Sequence, residues 1–349
     1  MTLSQAATLT KQIITLSIII LTFGLISFIA YKVWYAYYLA NLPLIEEKPN
    51  LKFGVLPAID FPKSLVSSSN FSYSIDTSTG NLPKVGVDPG FEKIIKVYFV
   101  TKTLASLLSS EKSQVLAAKF DIKSEPQILS ETSYRFADNG KTLTVDLDSG
   151  NFIFKNDSKT PTNITLDDDN KLTSDFIRSL ESLVVLKEDL RKGPSKILLL
   201  KNDSNKLTPT NLRSETIAAQ ISLWPASIDK KVIVTSQFST STISGIVYQS
   251  AADLNNFLAL NFVYYPVDTS TFATYPIRST EEALADLKSG KGIVIIEPEK
   301  PQVSITSIYL GYFLPDNYNP YLQPVFVFEG PHFVAYVPAI SSDSVNTSE

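Results

Sequence analysis

The chain contains no cysteine, one histidine, one methionine and two tryptophans among its 349 residues. The lack of cysteine removes disulfides, thiolate metal sites and cysteine nucleophiles together. Any triad or imidazole metal site would have to rest on His332, which follows Gly330-Pro331 in a turn sequence where an exposed histidine is the ordinary outcome. Glycine loops that cradle phosphate are missing too, because Gly193, Gly290 and Gly292 fit neither the GxGxxG nor the P-loop spacing. Lys and Arg form no dense run and the formal net charge is −4, so no nucleic-acid partner is expected. LDDDN (166–170) and DLDSG (146–150) lack the internal glycine and closing glutamate of a calcium loop and read as solvated turns. These patterns identify no catalytic residue, cofactor, metal site or small-molecule substrate. A carboxylate pair that meets only in the fold leaves no sequence signal.

Charge is absent from one further place, the stretch between Lys11 and Lys32. Its core, IITLSIIILTFGLISFIA (Ile13 to Ala30), covers with its flanks roughly 30 Å at about 1.5 Å per helical residue, the thickness of a bilayer's hydrocarbon core. A buried core helix would show a polar face; here only Thr15, Ser17, Thr22 and Ser27 interrupt, and each hydroxyl has a carbonyl of its own helix within reach. The run exceeds the h-region of a cleaved signal peptide. It reads as a transmembrane anchor, with Ile13, Ile20, Phe23 and Ile29 in the lipid and Trp34 and Tyr35 in an aromatic belt at the headgroups. Gly24 and Ser27 offer a small-residue patch where a second helix could approach. Flanking charge is nearly balanced, with Lys11 before the span and Lys32, Glu46 and Glu47 behind it. The Ser-, Thr-, Asn- and Tyr-rich composition of the bulk places it outside the cell membrane, the chain crossing once.

Beyond this span (13–38, after a short tail at 1–12) the chain divides by texture. Residues 39–93 form a proline-rich lead-in, whose Leu51, Phe53, Val55, Leu56, Ile59 and Phe61 are too apolar for a free tether. Within it Phe71 to Pro83 predicts a short hairpin or edge strand. A first module, 94–193, opens with the strand IIKVYFV and a helix from an N-cap at Ser110 to Lys119, with Val115 and Leu116 facing inward. SYRFA, TLTVDL and NFIF follow as an antiparallel meander joined by DNG and DSG turns, and a helix runs from about Ser174 to Leu190. The second module, 194–340, holds the strand KILLLK, a helix over about 214–223, a hairpin from 231 to 250 and a strand over 256–267. Its clearest local signal is Ser279 with Glu282 three residues on, a capping box that opens EEALADLK; Gly290 closes that helix. Strands GIVIIEP, SITSIYLGYFLP, LQPVFVFEG and HFVAYVPAI and a polar tail, 341–349, complete the chain. The fold class is therefore α+β: an N-terminal transmembrane helix, then two antiparallel-sheet-plus-helix modules.

YPIRSTEEALADLKSGKG, the strand ending LGYF, and YLQPVFVFEG with FVAYVPAI resemble in layout the membrane-anchored extracytoplasmic regulators YycH and YycI and related PepSY-like domains. YRFADNGKTLTVDLDSGNFIF is similar to their segment of aromatic strand, turn, apolar strand, Asp-x-x-Gly turn and strand. The resemblance covers about half of the soluble part and implies a non-enzymatic module that works by contact with another envelope or membrane protein. Two other functions fit the composition: a cell-envelope hydrolase with a carboxylate or serine site, and a structural subunit of a surface or secretion complex.

Overall fold

A computed structural model of the chain describes residues 3–40, 48–158, 164, 166–204 and 206–346, arranged in two compact units, Met1–Lys48 and Pro49–Glu349. The lead-in's Pro43, the Glu46–Glu47 pair and tail residues 347–349 lie outside the described residues.

The first unit is one helix, α1 (Leu3–Ala40). It starts well before the expected span, because no Gly or Pro interrupts the segment read as a tail. Over Ile14–Tyr38 it is long and apolar enough to cross a membrane. The Thr22 hydroxyl donates to the Ile18 carbonyl, the internal satisfaction expected of a polar residue in such a helix.

In the second unit, strands β1 (Ser72–Ile75) and β2 (Ile94–Val100) come first. Helix α2 (Ser109–Lys119) precedes β3 (Gln127–Ser130), β4 (Ser133–Asp138), β5 (Lys141–Asp146) and β6 (Phe152–Asn156). Helices α3 (Asp169–Ser182) and α4 (Glu188–Lys192) lead into β7 (Ser195–Asp203), β8 (Lys206–Pro209) and β9 (Ala218–Leu223). Next are β10 (Val232–Thr235), β11 (Ile243–Val247), β12 (Phe257–Phe262) and β13 (Val267–Pro276). Helix α5 (Thr280–Lys288) and strands β14 (Ile293–Ile296), β15 (Gln302–Ile305), β16 (Ser307–Leu314), β17 (Tyr321–Gly330) and β18 (Phe333–Pro338) end the unit.

Among the described residues these strands make a nine-stranded sheet, β3-β4-β5-β6-β12-β11-β9-β7-β8, a seven-stranded sheet around β16, β17 and β18, and the pair β1–β15. The fold is α+β. Pairing is antiparallel except for β1 with β15 and β10 with β16. Each large sheet has its helix: α3 packs Leu172, Phe176 and Leu180 on the nine-stranded sheet, and α5 packs Ala283, Leu284 and Leu287 in the seven-stranded half. A Cβ at Gly245 in β11 would lie 2.8 Å from the Phe176 ring, so glycine lets α3 press close to the sheet.

The LQPVFVFEG run is apolar because β17 is buried on both faces. Phe326 and Phe328 enter one core and Val325 and Val327 another, to which lead-in residues Ile59 and Phe61 contribute. Phe61 meets Phe313 at a ring separation of 5.0 Å, and Phe53 stacks on Tyr321 at 4.9 Å. Leu56 is buried, whereas Leu51 and Val55 stay exposed, contrary to expectation.

The chain crosses between the sheets, so the boundary at 193/194 separates neither. Strand β2 pairs with β13 and β17, and β6 pairs with β12. Further expectations are resolved element by element. The segment expected as a helix over 214–223 is strand β9, held between β7 and β11, because burial in a sheet centre outweighs the modest helix preference of Ala, Gln and Leu. The expected hairpin over 231–250 is split, β10 lying beside β16 in one sheet and β11 beside β9 and β12 in the other. Of the two alternatives expected at 71–83 the edge strand forms and the hairpin does not: β1 runs parallel to β15, which is itself distinct from β16. The helix expected from 174 to 190 is two helices, separated where Val184 takes φ 63.

Candidate functional site

A groove of about 590 Å3 runs between α2, the β5–β6 turn and the C-terminal turn of α3. Leu116, Val145, Leu147, Leu183 and Val185 supply apolar lining. Leu108, Val115 and Val184 also line it but remain more than half exposed, and Leu104 and Leu107, in the loop just before α2, are exposed as well. Charged atoms reach it only from Glu111, Lys112, Lys119 and Asp146.

Local sequence explains each wall. Helix α2 was expected to start on a Ser110 cap with Val115 inward. Its cap position lies two residues earlier, at Leu108, whose side chain gives no capping bond. Val115 faces outward, contrary to expectation, while Leu116 packs against the core as expected and Ala117, Phe120 and Ile122 take buried positions. The Lys119 amine donates to the Ser182 carbonyl and ties the end of α2 to the end of α3. The loop before α2 is tethered by the Ala105 amide, which donates to Asp148 Oδ1 at 2.8 Å.

The third wall is strained. Helix α3 ends with the Val184 amide on the Glu181 carbonyl and the Val185 amide on the Leu180 carbonyl, the paired bonds of a Schellman ending. Its left-handed position normally takes glycine; a β-branched side chain there costs about 1–2 kcal/mol. Val184 is nevertheless 82% exposed, so its side chain returns little burial for that strain.

Chemistry is sparse by comparison. His332 sits exposed at φ 53 in the turn between β17 and β18. In LDDDN, Asp167 pairs with Lys171, Asp168 caps α3 through the Lys171 amide, and Asp169 pairs with Arg213. Among the described residues no group of three His, Asp or Glu side chains could hold a metal ion. A polar cluster joins the Tyr98 hydroxyl and Lys96 to Asp229 at 2.5 and 3.2 Å, and Lys231 to Glu92 at 2.8 Å. Burial, the largest effect there, would raise the Asp229 carboxyl; the bonds from Tyr98 and Lys96 together outweigh it and hold that carboxyl low. The Tyr98 phenol is pushed up by burial first and by Asp229 second. Every member of the cluster has a partner within it.

Of the residues expected to anchor the chain, Ile20, Phe23, Ile29, Trp34 and Tyr35 present exposed side chains along α1, and Ile13 lies in the helix with its side chain outside the described residues. Trp34 stacks on Tyr38 at 5.7 Å and Tyr35 on Tyr31 at 6.0 Å. Beside Gly24 a Cβ would meet no atom within 4 Å, so the face it shares with Ser27 is open within this chain. Val115 and Leu116 were singled out from sequence as inward-facing positions of a helix and Asp146 and Gly150 as part of a turn, but no residue was expected to line a groove. The usable signals were TKTLASLL, three leucines ahead of a helix with no polar cap, and LVVL just past the last turn of α3.

No family model and no curated protein matches the chain. Among solved structures the chain is similar to an uncharacterized protein from Eubacterium rectale ATCC 33656, with 12% identity, a TM-score of 0.35, and coverage of 79% of this chain and 91% of that one.

Proposed function

We propose that this protein is a single-pass membrane protein whose extracytoplasmic unit regulates or holds another envelope protein by direct contact, as the resemblance to YycH, YycI and PepSY-like domains implies. The observation that carries the reading is the groove beside α2, where three large apolar side chains of the lining, Leu108, Val115 and Val184, stay exposed, the last in a strained turn, with Leu104 and Leu107 exposed in the loop that leads into α2. Contiguous exposed apolar surface of this kind is characteristic of contact sites. Its chemistry suits an amphipathic segment that presents apolar side chains to the groove. α1 supports the membrane part of the reading, and its open Gly24–Ser27 face fits a helix partner in the same bilayer.

Leu107→Asp combined with Val115→Asp tests this, since both side chains are exposed and their replacement leaves the core intact. The full-length variant should melt within about 0.5 kcal/mol of wild type. It should also lose a membrane protein that co-purifies in fixed ratio with wild type from native membranes. Undiminished recovery of that protein contradicts the reading.

A further inference from the structure

Where the two sheets meet, a separate cavity of about 300 Å3 opens among α4, the segment after β9, the segment after β12, and strands β10, β13, β16 and β17. Its size falls at the small end of the range for ligand pockets, about 300–1,000 Å3. Ile233, Val267, Leu314 and Leu322 give it apolar walls drawn from the seven-stranded sheet. From the other side come Asp189, in the first turn of α4, and Tyr264, just beyond β12. The Tyr264 hydroxyl donates to Asp189 Oδ2 at 2.9 Å and so fixes the carboxylate in place. Burial foremost, and the Asp189 charge next, push the Tyr264 phenol up, which keeps it protonated and a donor.

Asp189 differs from the carboxylates around it. Glu181 and Glu188 pair with Arg191, Glu188 also with Lys192, and Asp229 with Lys96. Asp189 has no ion-pair partner among the described residues, and its second oxygen, Oδ1, has no hydrogen-bond donor among them. Negative charge in the first turn of α4 is favourable, but Glu188 already supplies it from the adjacent position. A half-buried carboxylate without a counter-ion, in an apolar recess, complements a ligand that brings positive charge on an apolar body.

We propose that this cavity binds a small organic ammonium, whose N–H groups meet Asp189 and whose hydrocarbon body lies against Tyr264, Tyr265, Leu314 and Leu322. Such a ligand touches both sheets, so its binding favours their docked arrangement and raises the unfolding temperature by mass action. The site is independent of the groove beside α2.

The test is calorimetric titration of 2-phenylethylamine, and separately of its neutral isostere 2-phenylethanol, into the full chain in lipid nanodiscs, with empty nanodiscs as the blank. Saturable amine binding is expected, at least about tenfold tighter than the alcohol at neutral pH. Asp189→Asn, which keeps an acceptor for the Tyr264 hydroxyl, should bring the amine down to the affinity of the alcohol. The comparison of amine with alcohol on wild-type protein decides even where the variant fails to fold. Absence of saturable amine binding, equal affinities for amine and alcohol, or unchanged amine affinity in folded Asp189→Asn overturns the proposal.

Discussion

Val184 occupies a left-handed backbone position and points its side chain at solvent, a combination with two disadvantages for folding. Glycine at that position would relieve the Cβ clash, offset in part by the extra freedom of the unfolded chain. Val184→Gly should therefore stabilise the protein by about 1 kcal/mol in denaturant unfolding. If the groove is a contact site, the same variant should bind its partner less well, because a rim side chain is gone. A more stable protein with undiminished partner recovery would separate Val184 from function. The strain itself was invisible in the sequence. LESLVVLKEDL carries an unbroken helical pattern of apolar residues, and only the absence of glycine at the true ending, which the eye does not register, marks where α3 stops.

Helix α5 shows what local sequence does decide. Ser279 Oγ accepts from the Glu282 amide at 3.2 Å and Glu282 returns a carboxylate oxygen to the Ser279 amide at 3.1 Å, the reciprocal pair read from the spacing alone. Ser279→Ala should cost about 1 kcal/mol. Leu287→Asp should be far worse, since Leu287 is fully buried among Gly292, Val337 and their neighbours and would bring an unpaired charge into that core. Thermal unfolding measures both, and similar melting temperatures for wild type and Leu287→Asp would show that α5 is not packed as described. The β4–β5–β6 meander was legible for the same reason: Asn139 and Gly140, both at positive φ, make a turn whose twist suits a hairpin. Strand β9 and the partners of β10 and β11 were not, because those depend on pairings between segments distant in sequence. Pro324 illustrates the limit. A proline in a central strand argues against that strand, yet it falls where β17 changes its neighbour from β2 at Tyr321 and Leu322 to β18 at Val325. No local pattern announces such an exchange.

For the molecule as a whole, the apolar helix and the α+β class were readable, while the path of the chain between the sheets was not. The sequence divides by texture at 193/194, but the contacts that make the sheets ignore that division, since β2 and β6 each find partners far along the chain. The groove belongs to this scale, assembled from the loop before α2, the β5–β6 turn and the end of α3. The helix long and apolar enough to cross a membrane lies in the first unit. Alkaline carbonate should leave the full-length chain in the membrane pellet and release a chain beginning at Leu51, and extraction of both into the soluble fraction would exclude α1 as an integral anchor. The most direct test of contact through the groove is photo-crosslinking in native membranes, with a photoreactive side chain placed at exposed Leu107, adjacent in sequence to the groove-lining Leu108, and, as a control, at Leu212, which is also exposed but neither lines the groove nor adjoins a lining residue. The account predicts a discrete adduct with one envelope protein from position 107, suppressed by Val115→Asp and not formed from position 212. Identical adducts from both positions, or none from 107 in correctly inserted protein, would contradict it.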